Sequence, residues 1–413
     1  MHKIGVLDCN NFFVSCERVF RPDLKNKPVV VLSGNDGCVV ARSQEIKDIG
    51  IPIGVPYFQI KDITEKAGAK VFSSNFSLYR DISRRVFEVV RSEIDSIETY
   101  SIDECFFLLK ESDLNKLQKL KVRVENEVGI PVSIGVANSK TQAKYVNQIA
   151  KRTKRVEVWG PDEWFNKIAD IKLSEVWGVG GSHVRSFFKQ GLQTVADFLT
   201  WPERLIKNSF GKFGESLYWE LKGVSVLKVD NSDKSRKSIM SSRSLAVATD
   251  RYEVLRSEVL DHIHDVTNTL IDIKLLAGKL SIYAYPSRYS DYLMQGFSRE
   301  VSFNFATNDL FTLAKEGVEL LESGYRKGVP YQKIGVTISS LIPANYQSKS
   351  LFTEPENGKT QVLSDLIFLM NTKHKKSIEL GRLSKGSREG IVSKKYLSPA
   401  YTTKWTDIKI VKT

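Results

Sequence analysis

The sequence predicts a multidomain α/β protein, and three observations carry that prediction. Short apolar strands alternate with helical stretches through the first 165 residues, a glycine turn between two amphipathic segments follows, and the region after residue 240 runs strand, helix, strand, strand, helix, strand. A chain of 413 residues, 41% of them hydrophobic, is long enough for two to four domains with a core in each.

Residues 3–8 ("KIGVLD") form a short apolar strand that ends in an acid, and 29–33 ("VVVLS"), 98–109 and 131–137 ("PVSIGVA") read as further strands. Over 76–92, Leu78, Ile82, Val86 and Val89 or Val90 recur at helical spacing. The stretch from about 20 to 74 is rich in Gly and Pro turns ("SGNDGC", "GIPIGVP") and reads as a small inserted subdomain. Residues 171–200 give a helix, a tight "GVGG" turn and a second helix, the pattern of a helix-hairpin-helix. A polar, basic linker, "VDNSDKSRKS" over 229–238, then marks a boundary, and a new domain begins near Ser241.

In that domain the spacing predicts strands over 243–248, 279–285, 298–306 and 331–341, and helices over 251–276 and 308–323. Leu255, Val259, Ile263, Val266, Leu270 and Ile273 repeat at three and four, whereas Leu280, Ile282 and Ala284 alternate. A β-α-β-β-α-β order implies one sheet with two helices on one face and the other face free to bind. His262 and His264 sit two apart on the first helix and point to different sides, which argues for surface histidines and against a metal pair.

Lys and Arg total 61 against 48 Asp and Glu, a formal charge of +13 that favours a polyanionic partner, nucleic acid first and an anionic membrane second. The segment 373–395 concentrates this charge, with eight Lys or Arg against two acids. No apolar run approaches the roughly 20 residues of a membrane span, and "MHKIGVLDCNNFF" is too polar for a signal peptide, so the expectation is a cytoplasmic protein. The cysteines Cys9, Cys16, Cys38 and Cys105 form no CxxC pair and read as small buried thiols.

The stretch "YSIDECFFLL" places Asp103 and Glu104 side by side in an apparent strand, where unpaired charge is costly. Strand neighbours point to opposite faces, so at least one acid turns into a crowded site unless the chain bends there. Asp8 is a third acid for the same place. Two carboxylates about 4 Å apart repel by about 1 kcal/mol in water and roughly 4 kcal/mol at an effective dielectric near 20. A shared proton or divalent cations would relieve that repulsion, and Mg²⁺ favours oxygen ligands from carboxylates and phosphates. Taken alone, a "DE" pair is also what a hairpin turn or an edge strand carries, and a lone Asp8 is also what caps a helix.

Five stretches taken together, "LDCNNFFVSCERVFRPDLKNKPVVVLSGNDGCVVARS", "FSSNFSLYRDIS", "YSIDE", "SIGVANSKTQAKYVNQIAK" and "VWGVGGSHVRSFFKQGLQTVADFL", resemble the Y family of DNA polymerases, and most of all its UmuC-like branch. The likeness runs from Gly5 to the C-terminal "LSPAYTTKW". It implies a right-hand polymerase: a palm (1–20 and 75–165), small fingers (21–74), a helix-hairpin-helix thumb (166–230), a linker (231–240), a β-α-β-β-α-β little finger (241–343) and a C-terminal tail (344–413).

The resemblance also implies roles for single residues. Asp8, Asp103 and Glu104 match the catalytic carboxylates that hold two Mg²⁺ ions, with the backbone carbonyl of Cys9 as a further ligand. Phe12 and Phe13 match nucleotide-contacting positions, Phe13 as the steric gate against a ribose 2′-hydroxyl; from sequence alone a core aromatic fits Phe13 as well. Arg42, Lys47 and Lys151 match basic positions that face the triphosphate of the incoming dNTP. Lys144, Val179, Gly180, Gly181 and Arg243 match contacts to primer-template DNA, although a lysine on a helix is also ordinary surface and "GVGG" also an ordinary turn. Leu351 and Phe352 in "QSKSLFTEPEN" fit the apolar anchors of a sliding-clamp motif, with Gln347 one residue upstream of its usual spacing. The implied function is low-fidelity, lesion-bypass DNA synthesis in the SOS response to DNA damage. The implied partners are a UmuD-like dimer, a RecA filament and the clamp. The alternative is a catalytically inactive DNA-binding accessory subunit of a repair complex.

Overall fold

In the computed structural model, which describes residues 2–231, 236–346, 358–374, 378–381 and 394–407, the chain forms two units. One is Met1–Asp233 with Lys395–Thr413, the other Lys234–Lys394. The run "KIGVLD" becomes β1 (His2–Cys9), buried at every position after the first, so it needs cover on both faces. Asn11, in the left-handed region at φ 49°, turns the chain into α1 (Phe12–Phe20). A small body follows, built of β2 (Val29–Leu32), β3 (Val39–Arg42), α2 (Gln44–Asp48), α3 (Tyr57–Lys66) and β4 (Lys70–Ser73). Its strands lie in the order β3-β2-β4, and Val30, Leu32, Val39, Ile46, Ile51 and Ile60 give it a core of its own.

The Asn75 side chain caps α4 (Phe76–Arg91) by accepting from the Leu78 N–H. Next come β5 (Ile97–Thr99) and β6 (Glu104–Lys110), which form a hairpin. The single strand expected over 98–109 is therefore two. The N–H groups of Tyr100 and Ser101 both donate to the Glu104 carbonyl, and the turn leaves Asp103 outside the strand that Glu104 begins. That bend removes the conflict of two adjacent acids in one buried strand.

With α5 (Lys116–Glu127), β7 (Val132–Ala137), α6 (Lys140–Thr153) and β8 (Val156–Val158), the main sheet runs β5-β6-β1-β7-β8. Leu7, Cys9, Cys105, Phe107 and Ile134 pack on one face against α1, α4 and α5. Ile4, Val6 and Phe106 pack on the other against α6. Helix α6 lies close on β7 because Gly135 has no side chain: a Cβ there would stand 2.2 Å from the backbone nitrogen of Asn147. Asn147 donates to the carbonyls of Val6 and Ser133, which fixes the helix along the sheet.

The rest of the unit is helical: α7 (Pro161–Lys167), α8 (Gly181–Lys189), α9 (Val195–Thr200) and α10 (Glu203–Leu221). The helix expected before the "GVGG" turn is only a 3₁₀ turn over Leu173–Glu175, and a bridge between Lys172 and Thr194 closes the hairpin. Glu220 of α10 is fully buried, and its carboxylate accepts from the N–H groups of Thr141, Val226 and Leu227, tying this body to the start of α6.

The second unit has the expected order, β9 (Ser238–Thr249), α11 (Tyr252–Asp272), β10 (Leu275–Pro286), β11 (Phe297–Thr307), α12 (Leu310–Gly324) and β12 (Tyr331–Pro343), in a sheet ordered β11-β10-β12-β9. Leu280, Ile282, Ile334, Val336 and Ile338 line the face that the helices cover. A further helix, α13 (Gly358–His374), lies within the stretch expected only as a tail, and its Ile367 is buried in this core. The histidines expected at the surface are buried. His262 Nδ1 lies 2.8 Å from the Ser241 hydroxyl of β9, and His264 Nε2 lies 3.1 Å from Asn371 of α13. Their spacing of two does point them apart, but both directions lead into packed elements. Leu351, Phe352 and most of the basic stretch 373–395 lie outside the described residues.

Candidate active site

The register of β1 with β6 builds the centre of the site. Asp8 pairs with Glu104, so both side chains leave the same face of the sheet, the face under α6. On that helix Lys144 and Lys151 are two turns apart and share a side. Lys151 Nζ donates to Asp8 Oδ2 at 2.8 Å, and Lys144 Nζ donates to Glu104 Oε2. Asp103 stands beside them in the turn. Its backbone carbonyl accepts from the Cys9 N–H at 2.8 Å, and its carboxylate accepts from the Ser101 hydroxyl at 2.6 Å.

Burial raises the Asp8 carboxyl above the ordinary carboxylate range, against the opposing pull of Lys151 and with a further push from Glu104. Asp103 is also raised, first by burial and then by Asp8, with the Ser101 hydrogen bond acting the other way. Negative charge is thus crowded into a site that penalises it, and a divalent cation would relieve the penalty. Among the described residues no group of three His, Cys, Asp or Glu side chains closes on one point. Asp8 and Glu104 are each turned to a lysine instead. The donor set of three carboxylates and a carbonyl is all oxygen, the chemistry that hard cations such as Mg²⁺ take, so the residues fit the ion that the resemblance implies.

The basic side of the site comes from the small body. Lys47 Nζ donates to Asn11 Oδ1 at 2.6 Å, and burial, then Arg42 and Lys151, lower its pKa. Arg42 lies within that electrostatic cluster, but its guanidinium donates to the Ile51 carbonyl. A cleft of about 370 Å³ is lined by Asn10, Asn11, Lys47, Lys121, Lys151 and Lys154 among others; none of the three acids lines it, and Lys151, which donates to Asp8, joins it to them. The sequence reading passed over Asn10, Asn11 and Lys154; the "NN" after a strand, a dipeptide that tolerates left-handed backbone, was the available signal for the first two.

Phe12 is in the core, 4% exposed, which leaves its backbone for any contact with a nucleotide. Phe13 is half-buried. Its ring stacks on Tyr79 with centroids 4.4 Å apart and meets the edge of Phe76 at 5.7 Å. In the hairpin the Val179 side chain is buried, Gly180 precedes the first turn of α8 with no side-chain cap, and a Cβ at Gly180 would meet only open space. The N–H groups that start α8 therefore face outward. Arg243 of β9 donates to Glu258 of α11 at 2.8 Å, so its side chain is engaged on the helix-covered side of the second sheet. The opposite face pairs Ser244 with Lys333 and Ser281 with Thr337, a surface richer in hydroxyls than in charge.

The impB/mucB/samB family matches residues 7–148, and the C-terminal domain of the same family matches residues 236–351. The protein UmuC of Salmonella typhimurium is 31% identical over 99% of this chain and 100% of its own. The chain belongs to the impB/mucB/samB family, within the Y family of DNA polymerases. This Y-family chain is also 26% identical to DNA polymerase IV of Brucella melitensis, over 82% of this chain and 76% of that one. A solved Y-family DNA polymerase chimera of Dbh and Dpo4 aligns with a TM-score of 0.68 at 23% identity, covering 83% of this chain and 100% of the chimera, which establishes the shared fold. The first matched segment contains Asp8, Phe13, Arg42, Lys47, Asp103, Glu104 and Lys144.

Proposed function

We propose that this chain is a template-directed DNA polymerase of the lesion-bypass type, adding dNTPs to a primer 3′ end. The observation that supports it most is the pairing of Asp8 with Glu104 across adjacent strands, with Asp103 in the adjoining turn and a lysine of α6 on each of the paired acids. In this reading residues 1–20 and 75–165 are the palm, 21–74 the fingers, 166–230 the thumb and 241–343 the little finger.

The reaction forms a bond from the primer 3′ oxygen to the α-phosphorus and breaks the bond to the bridging oxygen. Pyrophosphate leaves with the electron pair, and the hydroxyl proton is lost to solvent. Such a transfer asks the protein for positioning and charge neutralisation more than for covalent chemistry. Asp8, Asp103, Glu104 and the Cys9 carbonyl would hold two Mg²⁺ ions, which when bound neutralise the phosphates and lower the pKa of the primer hydroxyl. Lys47 and Lys151 border the cleft and supply positive charge to a triphosphate; Lys151, 41% exposed, has the freedom to exchange Asp8 for a phosphate oxygen. Phe13 presents a half-buried ring to the sugar. The outward N–H groups at Gly180 and Gly181 suit a DNA phosphate, and the hydroxyl face of the second sheet suits a duplex backbone.

We assign the chain, on the same reading, to low-fidelity synthesis in the SOS response in the cytoplasm, with a UmuD-like dimer, a RecA filament and the sliding clamp as partners. No described helix is long and apolar enough to cross a membrane. An inactive accessory subunit would have no need of three acids and their lysines gathered at one end of a sheet. Asp103→Ala or Glu104→Ala should abolish primer extension with DNA binding nearly intact; extension that persists in a clean preparation refutes the assignment.

A further inference from the structure

Residues 395–401 pack on the first unit, against its small body, the start of α4 and helix α1. The Lys395 N–H donates to Asp36 Oδ2 at 2.8 Å, and Tyr396 exchanges hydrogen bonds with Ser73, giving its N–H to the hydroxyl and taking the Ser73 N–H on its carbonyl, both at 3.0 Å. Leu397 forms a parallel bridge with Ser73, so the segment adds itself to the free edge of β4. One step further on, Asn75 Nδ2 donates to the Ser398 hydroxyl at 3.0 Å, and the Tyr401 ring stacks on Phe20 of α1 at 4.6 Å. Ser398 and Tyr401 are buried, 7% exposed each, so these are packing contacts and not a loose tail lying on the surface.

One of these contacts leads to the nucleotide side of the site. The Ser398 hydroxyl donates to Glu17 Oε1 at 3.1 Å, a partner 381 residues away in the chain. The same oxygen accepts from the Tyr79 hydroxyl at 2.7 Å, and the Tyr79 ring is the one on which Phe13 stacks, with an interplanar angle of 13°. Glu17 itself has no exposed surface. The orientation of Phe13 therefore depends on a tyrosine whose far end is held by a carboxylate, and that carboxylate is held in turn by the C-terminal strap. A ring in such a stack discriminates by position: a shift of a fraction of an ångström opens or closes the space beside the sugar 2′ carbon.

We propose that Ser398, through Glu17 and Tyr79, is a positioning residue for sugar selection, so that the C-terminal segment sets how strictly Phe13 excludes ribonucleotides. The inference rests on the placing of Phe13 under the sugar of the incoming nucleotide. The test is steady-state primer extension by the full chain with dNTP and with the matching rNTP, taking the ratio of kcat/KM as the readout. Ser398→Ala and Tyr79→Phe should each lower the dNTP preference about five-fold, the scale of one intramolecular hydrogen bond, with kcat for dNTP within about two-fold of the parent because neither residue touches the reacting atoms. Tyr79→Phe keeps the ring and guards against a Ser398 variant that fails to fold. Phe13→Ala should abolish most of the preference, and adding Ser398→Ala to it should change nothing further. If Phe13→Ala lowers the ratio while Ser398→Ala and Tyr79→Phe leave it at the parent value, the strap is structural only and the proposal is wrong. If Phe13→Ala itself leaves the ratio unchanged, the gate reading falls and the role of Ser398 falls with it.

Discussion

Asp8 and Glu104 face one another on adjacent antiparallel strands, and lysines two turns apart on one helix divide them, Lys151 taking Asp8 and Lys144 taking Glu104. The two pairs differ in their access to water. Lys144 and Glu104 are 15% and 14% exposed, whereas Lys151 is 41% exposed against 10% for Asp8.

That difference predicts unequal costs. Lys144→Ala leaves a mostly buried carboxylate without its partner and should destabilise the metal-free protein by about 3 kcal/mol. Lys151→Ala also leaves a buried carboxylate, Asp8, but the lysine it removes is one that water already screens, so it should cost less, about 1 kcal/mol. Thermal melts in EDTA check the order. Added Mg²⁺ should raise the melting temperature of Lys144→Ala more than that of the parent, because a cation then meets the uncompensated charge of Glu104. Equal losses in EDTA would mean that the two ion pairs do not differ in their exposure to water.

The second prediction concerns the seat of α6. A Cβ at position 135 would lie 2.2 Å from the Asn147 nitrogen and 2.7 Å from the Val146 carbonyl carbon, both backbone atoms that cannot rotate away. Gly135→Ala should therefore lift the helix and carry Lys144 and Lys151 off their acids, at a cost of about 3 kcal/mol or more. A melting temperature within a few degrees of the parent would show that the helix can slide. Gly34→Ala is the control, since nothing lies within 4 Å of its Cβ position.

Much of this arrangement was legible in the residues. The β-α-β-β-α-β order could be read because its strands alternate and its helices repeat at three and four, and local period survives whatever the tertiary context. Asp8, Asp103 and Glu104 stood out because acids interrupt apolar runs. The turn at Tyr100 to Asp103 did not stand out: no glycine or proline marks it, and only the pairing of β5 with β6 requires it. The burial of His262 and His264 was hidden for a related reason. It depends on α13 and β9, elements whose contacts to the helix come from outside it, and a helical pattern says which side a residue takes but not what will cover that side. The return of Ser398 to Glu17 is the extreme case, a contact with no periodic trace at all.

On the second unit, the open face of the sheet presents Lys279, Lys333, Ser242, Ser244, Ser281 and Thr337, and Lys279 is itself paired with Glu300 at 2.9 Å. Hydroxyls can hydrogen-bond a phosphate but release no counterion, so this face should add little to the salt dependence of DNA binding. Lys333→Ala should reduce the slope of log K against log salt by about 1, and Ser242→Ala should weaken binding without changing the slope. Titrations of a primer-template at several salt concentrations separate the two. A steep slope that Lys333→Ala leaves untouched would place the duplex elsewhere.

The last prediction follows from Glu17. Burial pushes its carboxyl from an ordinary 4.5 to about 7, against the opposing hydrogen bonds from Tyr79 and Ser398. The folded chain therefore keeps a proton on Glu17 between those two values, while the unfolded chain gives it up. Where the folded state binds more protons, stability falls as pH rises. Glu17 should cost nothing below about pH 4.5 and progressively more up to about pH 7, reaching about 3 kcal/mol and staying level above that. Glu17→Gln is neutral at every pH and keeps an oxygen for both hydroxyls. It should melt higher than the parent at pH 8 and lose that advantage at pH 4.5. A difference between the two proteins that does not change over this range would mean that Glu17 titrates as an ordinary surface acid, which its complete burial contradicts.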